Sequence, residues 1–125
     1  MLNQAKIFSC LTFAGCVLCL VACQKEARVD ASRSLEQSFQ SSEPEVKQAI
    51  AAATASLKAG DYTDMARVLN PVLTGRELTP PQRQAAGQLF QQINQALTAD
   101  PKLDSKELYE LRVKLRQAVA GGKRF

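Results

Sequence analysis

Leu57-Lys58-Ala59-Gly60-Asp61-Tyr62 decides how this chain folds. Gly60 suits the left-handed residue that closes a helix, and Lys58 stands in the last turn, where a cation meets the negative end of the helix dipole. Asp61 suits the cap of a following helix. A helix that stops and another that starts across so short a turn can only fold back as an antiparallel hairpin. The flanks agree. Val46, Ile50, Ala53 and Leu57 recur at helical spacing before the turn, and Tyr62, Met65, Leu69, Val72 and Leu73 recur after it. Ala51 and Ala55 lie opposite the first stripe. They favour helix and let a neighbour come close.

Outward from the hairpin, more punctuation is legible. Ser42-Glu43-Pro44-Glu45 reads as the start of the first long helix, with Ser42 as N-cap and Glu45 as its capping-box partner. Pro71 removes one backbone bond from the second pattern and predicts a kink or break near Asn70, with Gly75 closing the segment. Thr79-Pro80-Pro81-Gln82 predicts a third helix, with Thr79 as cap and Gln82 at the capping-box place. Its core stripe is Ala86, Leu89, Phe90, Ile93 and Leu97. Asp104 with Glu107 predicts a fourth start, with Leu103 and Leu108 as a hydrophobic staple and a stripe of Leu108, Leu111, Leu115, Ala118 and Val119. Gly121-Gly122 ends it, and 121–125 form a short basic tail. Period-2 alternation is absent. The expected fold is all-α: a small antiparallel bundle of three to four helices, or stack of helical hairpins, over residues 44–120.

Residues 24–43 are rich in Ser, Gln and charge. Val29, Leu35 and Phe39 are their only large apolar side chains. Such a segment cannot bury enough surface to fold alone, so it reads as a flexible tether. Leu35 and Phe39 are four apart, which also allows a transient helical turn. As a free coil its mean reach is on the order of 25 Å.

Composition narrows the function. The chain has 125 residues, no His, no Trp and a formal net charge of +4. Without His the commonest general base, the commonest metal ligand and every Ser-His or Cys-His pair are missing. The charge is too small to argue for nucleic acid. Cys10, Cys16, Cys19 and Cys23 all lie near the start, which leaves no disulfide framework for the rest of the chain.

That N-terminal stretch carries its own signal. Lys6 is the only charge before Lys25, and Ile7–Ala22 is apolar apart from Ser9, Thr12 and the cysteines. A short positive region, a short apolar region and a small residue before a cut describe a secretory signal. The run is shorter than the roughly 20 residues that span a bilayer comfortably. Leu20-Val21-Ala22-Cys23 resembles a lipobox, the cleavage and acylation signal of bacterial lipoprotein precursors. The resemblance implies removal of residues 1–22 and lipid on Cys23: a thioether-linked diacylglycerol and usually a third acyl chain on its amino group. Gln24, where Asp would favour inner-membrane retention, points to the outer membrane if the organism has one. The protein would then face the periplasm, held by acyl chains. Phe13-Ala14-Gly15-Cys16 is a second, poorer match, and an uncleaved signal anchor is the remaining alternative.

Leu57–Tyr62 also resembles the inter-helix turn of a tetratricopeptide repeat, where a small residue stands three positions after the Tyr. Here Met65 holds that place and Ala66 follows. No second copy occurs at the family's period. The resemblance covers one hairpin and implies a groove for a peptide or protein.

Candidate functional residues fall into three sets. Tyr109, Arg112, Val113 and Arg116 share a face turned away from the fourth core stripe. Aromatics and Arg are enriched at interfaces, so this face is the expected site for an envelope protein partner, unless Tyr109 and Val113 are covered internally. Gln84, Gln88, Gln91 and Gln95 form an uncharged polar face on the third helix, either plainly solvated or a hydrogen-bonding surface for cell-wall glycan. Asp61 with Asp64, and Glu107 with Glu110, have the spacing of an acid–base pair, but in first turns such carboxylates cap amides and complement the dipole. No phosphate loop, nucleophile elbow or metal-ligand cluster is present. The expectation is a non-enzymatic adaptor or structural protein without a cofactor, and a glycan-binding module is the alternative.

Overall fold

The hairpin at Gly60 forms as its residues dictate. In a computed structural model, which describes residues 29–121, a helix Pro44–Lys58 (α2) ends at Ala59, and Gly60 adopts φ +79°. The Asp61 amide donates to the Ser56 carbonyl at 2.9 Å and the Gly60 amide to Leu57 at 3.1 Å. This pair of bonds is a Schellman closure, which only a left-handed residue at Gly60 permits. Asp61 then caps the next helix, Tyr62–Leu73 (α3), by accepting the Asp64 amide at 3.0 Å. Val46, Ile50, Ala53 and Leu57 from one side and Met65, Ala66 and Leu69 from the other are all buried.

The longest helix, Pro80–Ala99 (α4), starts with a complete capping box. The Thr79 hydroxyl accepts the Gln82 amide, and the Gln82 side chain accepts the Thr79 amide at 3.0 Å. Ala86, Leu89 and Ile93 are buried, and Phe90 and Leu97 pack at the margin of the core. A short 3-10 turn, Pro101–Leu103, leads to the last helix, Lys106–Val119 (α5), whose Leu108, Leu111 and Leu115 complete the core.

A further helix, Ser32–Ser38 (α1), lies inside the stretch expected to be tether. Ala31, Leu35 and Phe39 are buried in the common core, with Phe39 only 2 % exposed. The reading of 24–43 as a free spacer is therefore corrected for its second half. The segment has too few apolar residues to fold alone, but it does not fold alone. It fills a trough between α2 and α4, and their surface supplies what its own sequence lacks.

The fold is all-helical among the described residues, as expected, with five α-helices in place of three or four. They pack as a closed ring in the order α1, α2, α3, α5, α4 and back to α1. A ring of five cannot alternate direction throughout, so one neighbouring pair must run parallel. That pair is α3 and α5. Thr63 and Ser105 meet at their starts at 3.0 Å, and Lys114 reaches Thr74 near the far end of α3 at 2.9 Å. The chain therefore does not form a run of consecutive hairpins. α5 inserts between α3 and α4, and Leu78, buried in their connection, pins the crossing.

Three local expectations shift. α2 begins at Pro44 with Glu43 in the cap position and no side-chain cap bond, so Ser42 does not cap it. α5 is capped by Ser105, which accepts the Leu108 amide, rather than by Asp104. The staple places move with the cap. Leu108 is fully buried, but it is not the residue four places inside the cap. Asp104 and Ser105 are both good cap residues, and packing of Leu108 and Leu111 against the core selects the register. α3 also continues through Pro71 to Leu73, without a break at Asn70. Pro71 is exposed and stands in the last turn, so the bond it removes leaves the carbonyl of exposed Arg67 to solvent. Gly75, at φ +68°, closes the segment as expected.

Candidate functional surfaces

Part of the Gln face of α4 is occupied by the chain itself. Gln92 accepts the Ala31 amide at 2.8 Å and Gln95 accepts the Val29 amide at 3.2 Å. Gln88 accepts the Ser34 hydroxyl, and Gln82 donates to the Ser38 carbonyl at 3.2 Å. The Ala31 amide and the Ser38 carbonyl are backbone groups at the two ends of α1 that have no partner within so short a helix. The spacing along α4 matches α1 lying antiparallel to it. Glutamine suits the task because one amide both donates and accepts. Gln82 uses both abilities at once, closing the capping box and holding Ser38. From α2, Thr54 donates to Glu36 at 3.0 Å, and Lys58 lies 3.8 Å from the same carboxylate.

Of the four residues expected as a glycan surface, Gln88 and Gln95 are thus engaged in holding the N-terminal segment. Gln84 and Gln91 remain exposed. Gln84 and Gln88 line an open groove beside α1, about 320 Å³ in volume, with Ser34, Gln37, Ser38 and Pro81. Its walls offer hydroxyls and amides and no ionisable group.

The α5 face keeps its exposure. Tyr109 is 60 % exposed and is one of two large apolar side chains so exposed among the described residues, with Val119 at the other end of the helix. Arg116 is exposed, and Val113 is half-buried beside them. Arg112 is drawn inward. Its guanidinium lies 4.0 Å from the Asp104 carboxylate, and its Nε is buried without a hydrogen-bond partner. A contact at that distance on a partly exposed pair contributes little stability. Arg112 stands one turn along α5 from Tyr109.

The Asp61 and Asp64 carboxylates are engaged within the fold. Asp61 caps α3, and Asp64 accepts the Ser56 hydroxyl at 2.7 Å and pairs with Arg67 one turn on. Glu107 is in the first turn of α5, and its carbonyl accepts the Asn70 amide at 3.1 Å. Asp30 is held below the ordinary aspartate value of 3.8, chiefly because it accepts the Ser32 amide at 3.0 Å at the start of α1. No group of three His, Cys, Asp or Glu that could hold a metal ion occurs among the described residues. No described helix is long and apolar enough to cross a membrane. Cys23, the expected acylation site, and residues 1–22 lie outside the described residues.

The function of the Gln row as a seat for α1 escaped the sequence. A signal was present: Ala31, Leu35 and Phe39 repeat every four residues, as one turn of a buried helix would. No family model matches the chain, and neither the curated proteins nor the solved structures include a match.

Proposed function

We propose that the protein is an envelope lipoprotein, anchored by acyl chains on Cys23 on the periplasmic face, that acts as a non-enzymatic adaptor. The membrane in question is the outer one where the organism has two. The helical ring serves as a rigid platform for another envelope protein, which docks on the α5 face. The observation that carries this reading is the contrast between the two polar faces. Gln88 and Gln95 are engaged with the N-terminal segment, whereas Tyr109 and Arg116 are exposed beside Arg112 and the half-buried Val113. An aromatic ring flanked by guanidinium groups is the kind of surface that anchors protein interfaces. The glycan reading keeps a smaller footing in Gln84 and Gln91 and the groove beside α1.

The test is crosslinking in intact cells, followed by recovery of the protein. Tyr109→Ala with Arg112→Ala should abolish capture of the partner while leaving the circular dichroism spectrum unchanged. Gln84→Ala with Gln91→Ala should leave capture intact. These two positions separate the readings better than Gln88, whose loss would also loosen α1. Retained capture in the first variant, with loss of glycan pull-down in the second, would reverse the assignment.

A further inference from the structure

The docking of α1 determines how the bundle meets the membrane, an inference that rests on acylation of Cys23. The described chain begins at Val29, whose amide is tied to Gln95, near the C-terminal end of α4. Only residues 24–28 separate Val29 from Cys23. Fully extended, that link spans at most roughly 22 Å, whereas a free tether over 24–43 would allow far more. α4 is 20 residues long and so measures about 30 Å end to end. The link is therefore shorter than the bundle, so the bundle cannot stand inverted: with the far end against the surface and α4 upright, Val29 would lie beyond the reach of the link.

One end of the ring gathers Val29, the end of α2 at Lys58, the start of α3 at Asp61 and the turn at Lys102. The opposite end carries the α1–α2 loop, Arg76 and the start of α4 at Pro80. The last described residue, Gly121, follows Val119, which lies over Gly87 in the first half of α4. We propose that the end bearing Val29, Lys58 and Lys102 faces the lipid head groups, and that α1 is the clamp that sets this orientation. Charge does not set it. Exposed Lys58, Lys102 and Lys106 alternate there with exposed Asp61, Asp100 and Asp104. The point where the described chain begins, at Val29, is what fixes the geometry.

Energy transfer to the membrane tests this on the full chain, matured and extracted with its acyl chains. The protein is reconstituted into vesicles of phosphatidylethanolamine and phosphatidylglycerol with a head-group acceptor dye. A donor is placed on Lys102→Cys or Arg76→Cys, both exposed; Cys23 is blocked by its lipid, so each label is unique. Transfer from position 102 is expected to exceed that from 76 several-fold. A Gly-Ser spacer inserted between Arg28 and Val29, about as long as the segment α1 takes up, should bring the two level. Equal transfer without the spacer, in protein whose mass shows acylated Cys23, overturns the orientation and leaves the anchor standing. A contrast that survives the spacer overturns the clamp as its cause. A mass without acyl chains overturns the inference and the anchor together.

Discussion

Phe39→Ala is the substitution that separates a packed α1 from a loose tether. Phe39 is 2 % exposed, and Ala31 and Leu35 beside it are equally covered. Truncating the ring removes most of a buried aromatic surface and leaves a cavity between α1, α2 and α4, because polar anchors at both ends of α1 resist collapse into it. Changes of this kind cost about 3–5 kcal/mol. In a domain of this size each kcal/mol moves the midpoint by roughly 4–8 °C, so Tm should fall by on the order of 15 °C or more. Thermal unfolding followed by far-ultraviolet circular dichroism measures it. Tyr109→Ala, at a 60 % exposed position, serves as control and should stay within about 0.5 kcal/mol of the parent. A Phe39→Ala midpoint as close to the parent as the control's would refute the packing of α1, and with it the short link to Cys23.

Smaller effects are expected at a cap, at the turn and at the Asp30 carboxylate. Thr79→Ala removes the hydroxyl that accepts the Gln82 amide and should cost about 1 kcal/mol in urea unfolding; Gln82→Ala should cost more, because it also frees the Ser38 carbonyl. Gly60→Ala meets no atom within 4 Å, so its cost is the left-handed backbone alone, about 1–2 kcal/mol. Asp30 titrates below its ordinary 3.8 in the folded chain, so its contribution is present above that pH and is lost as pH falls through the lower folded value. Asp30→Asn should therefore flatten the acid limb of a stability–pH curve below about pH 4 and leave the neutral region parallel to the parent.

The long elements were legible because their signals are local. The α2–α3 turn announces itself in Gly60 and Asp61, and the start of α4 in Thr79 and Gln82; each requires a particular residue type at one backbone position. α1 was hidden because its stability is not its own. Leu35 and Phe39 mean little until α2 and α4 provide a trough, and the glutamines that receive α1 look like a solvated face until something is laid on them. The α5 insertion was equally out of reach, since short connections suggest sequential hairpins and the parallel α3–α5 pair depends on which stripes fit best. The cap of α5 moved by one residue for the same reason. Of the expected α5 strip, Tyr109 and Arg116 are exposed, Val113 is half-buried and Arg112 is drawn partly inward. Half of the Gln set changed meaning.

Everything proposed about location depends on Cys23, so intact mass of the membrane-extracted protein, beside a Cys23→Ser variant, is the most direct test. The anchored-adaptor account predicts a mature chain that begins at Cys23 and carries two or three acyl chains, with both the cut and the lipid lost in the variant. An unprocessed chain, or one that begins at Cys16, would contradict it.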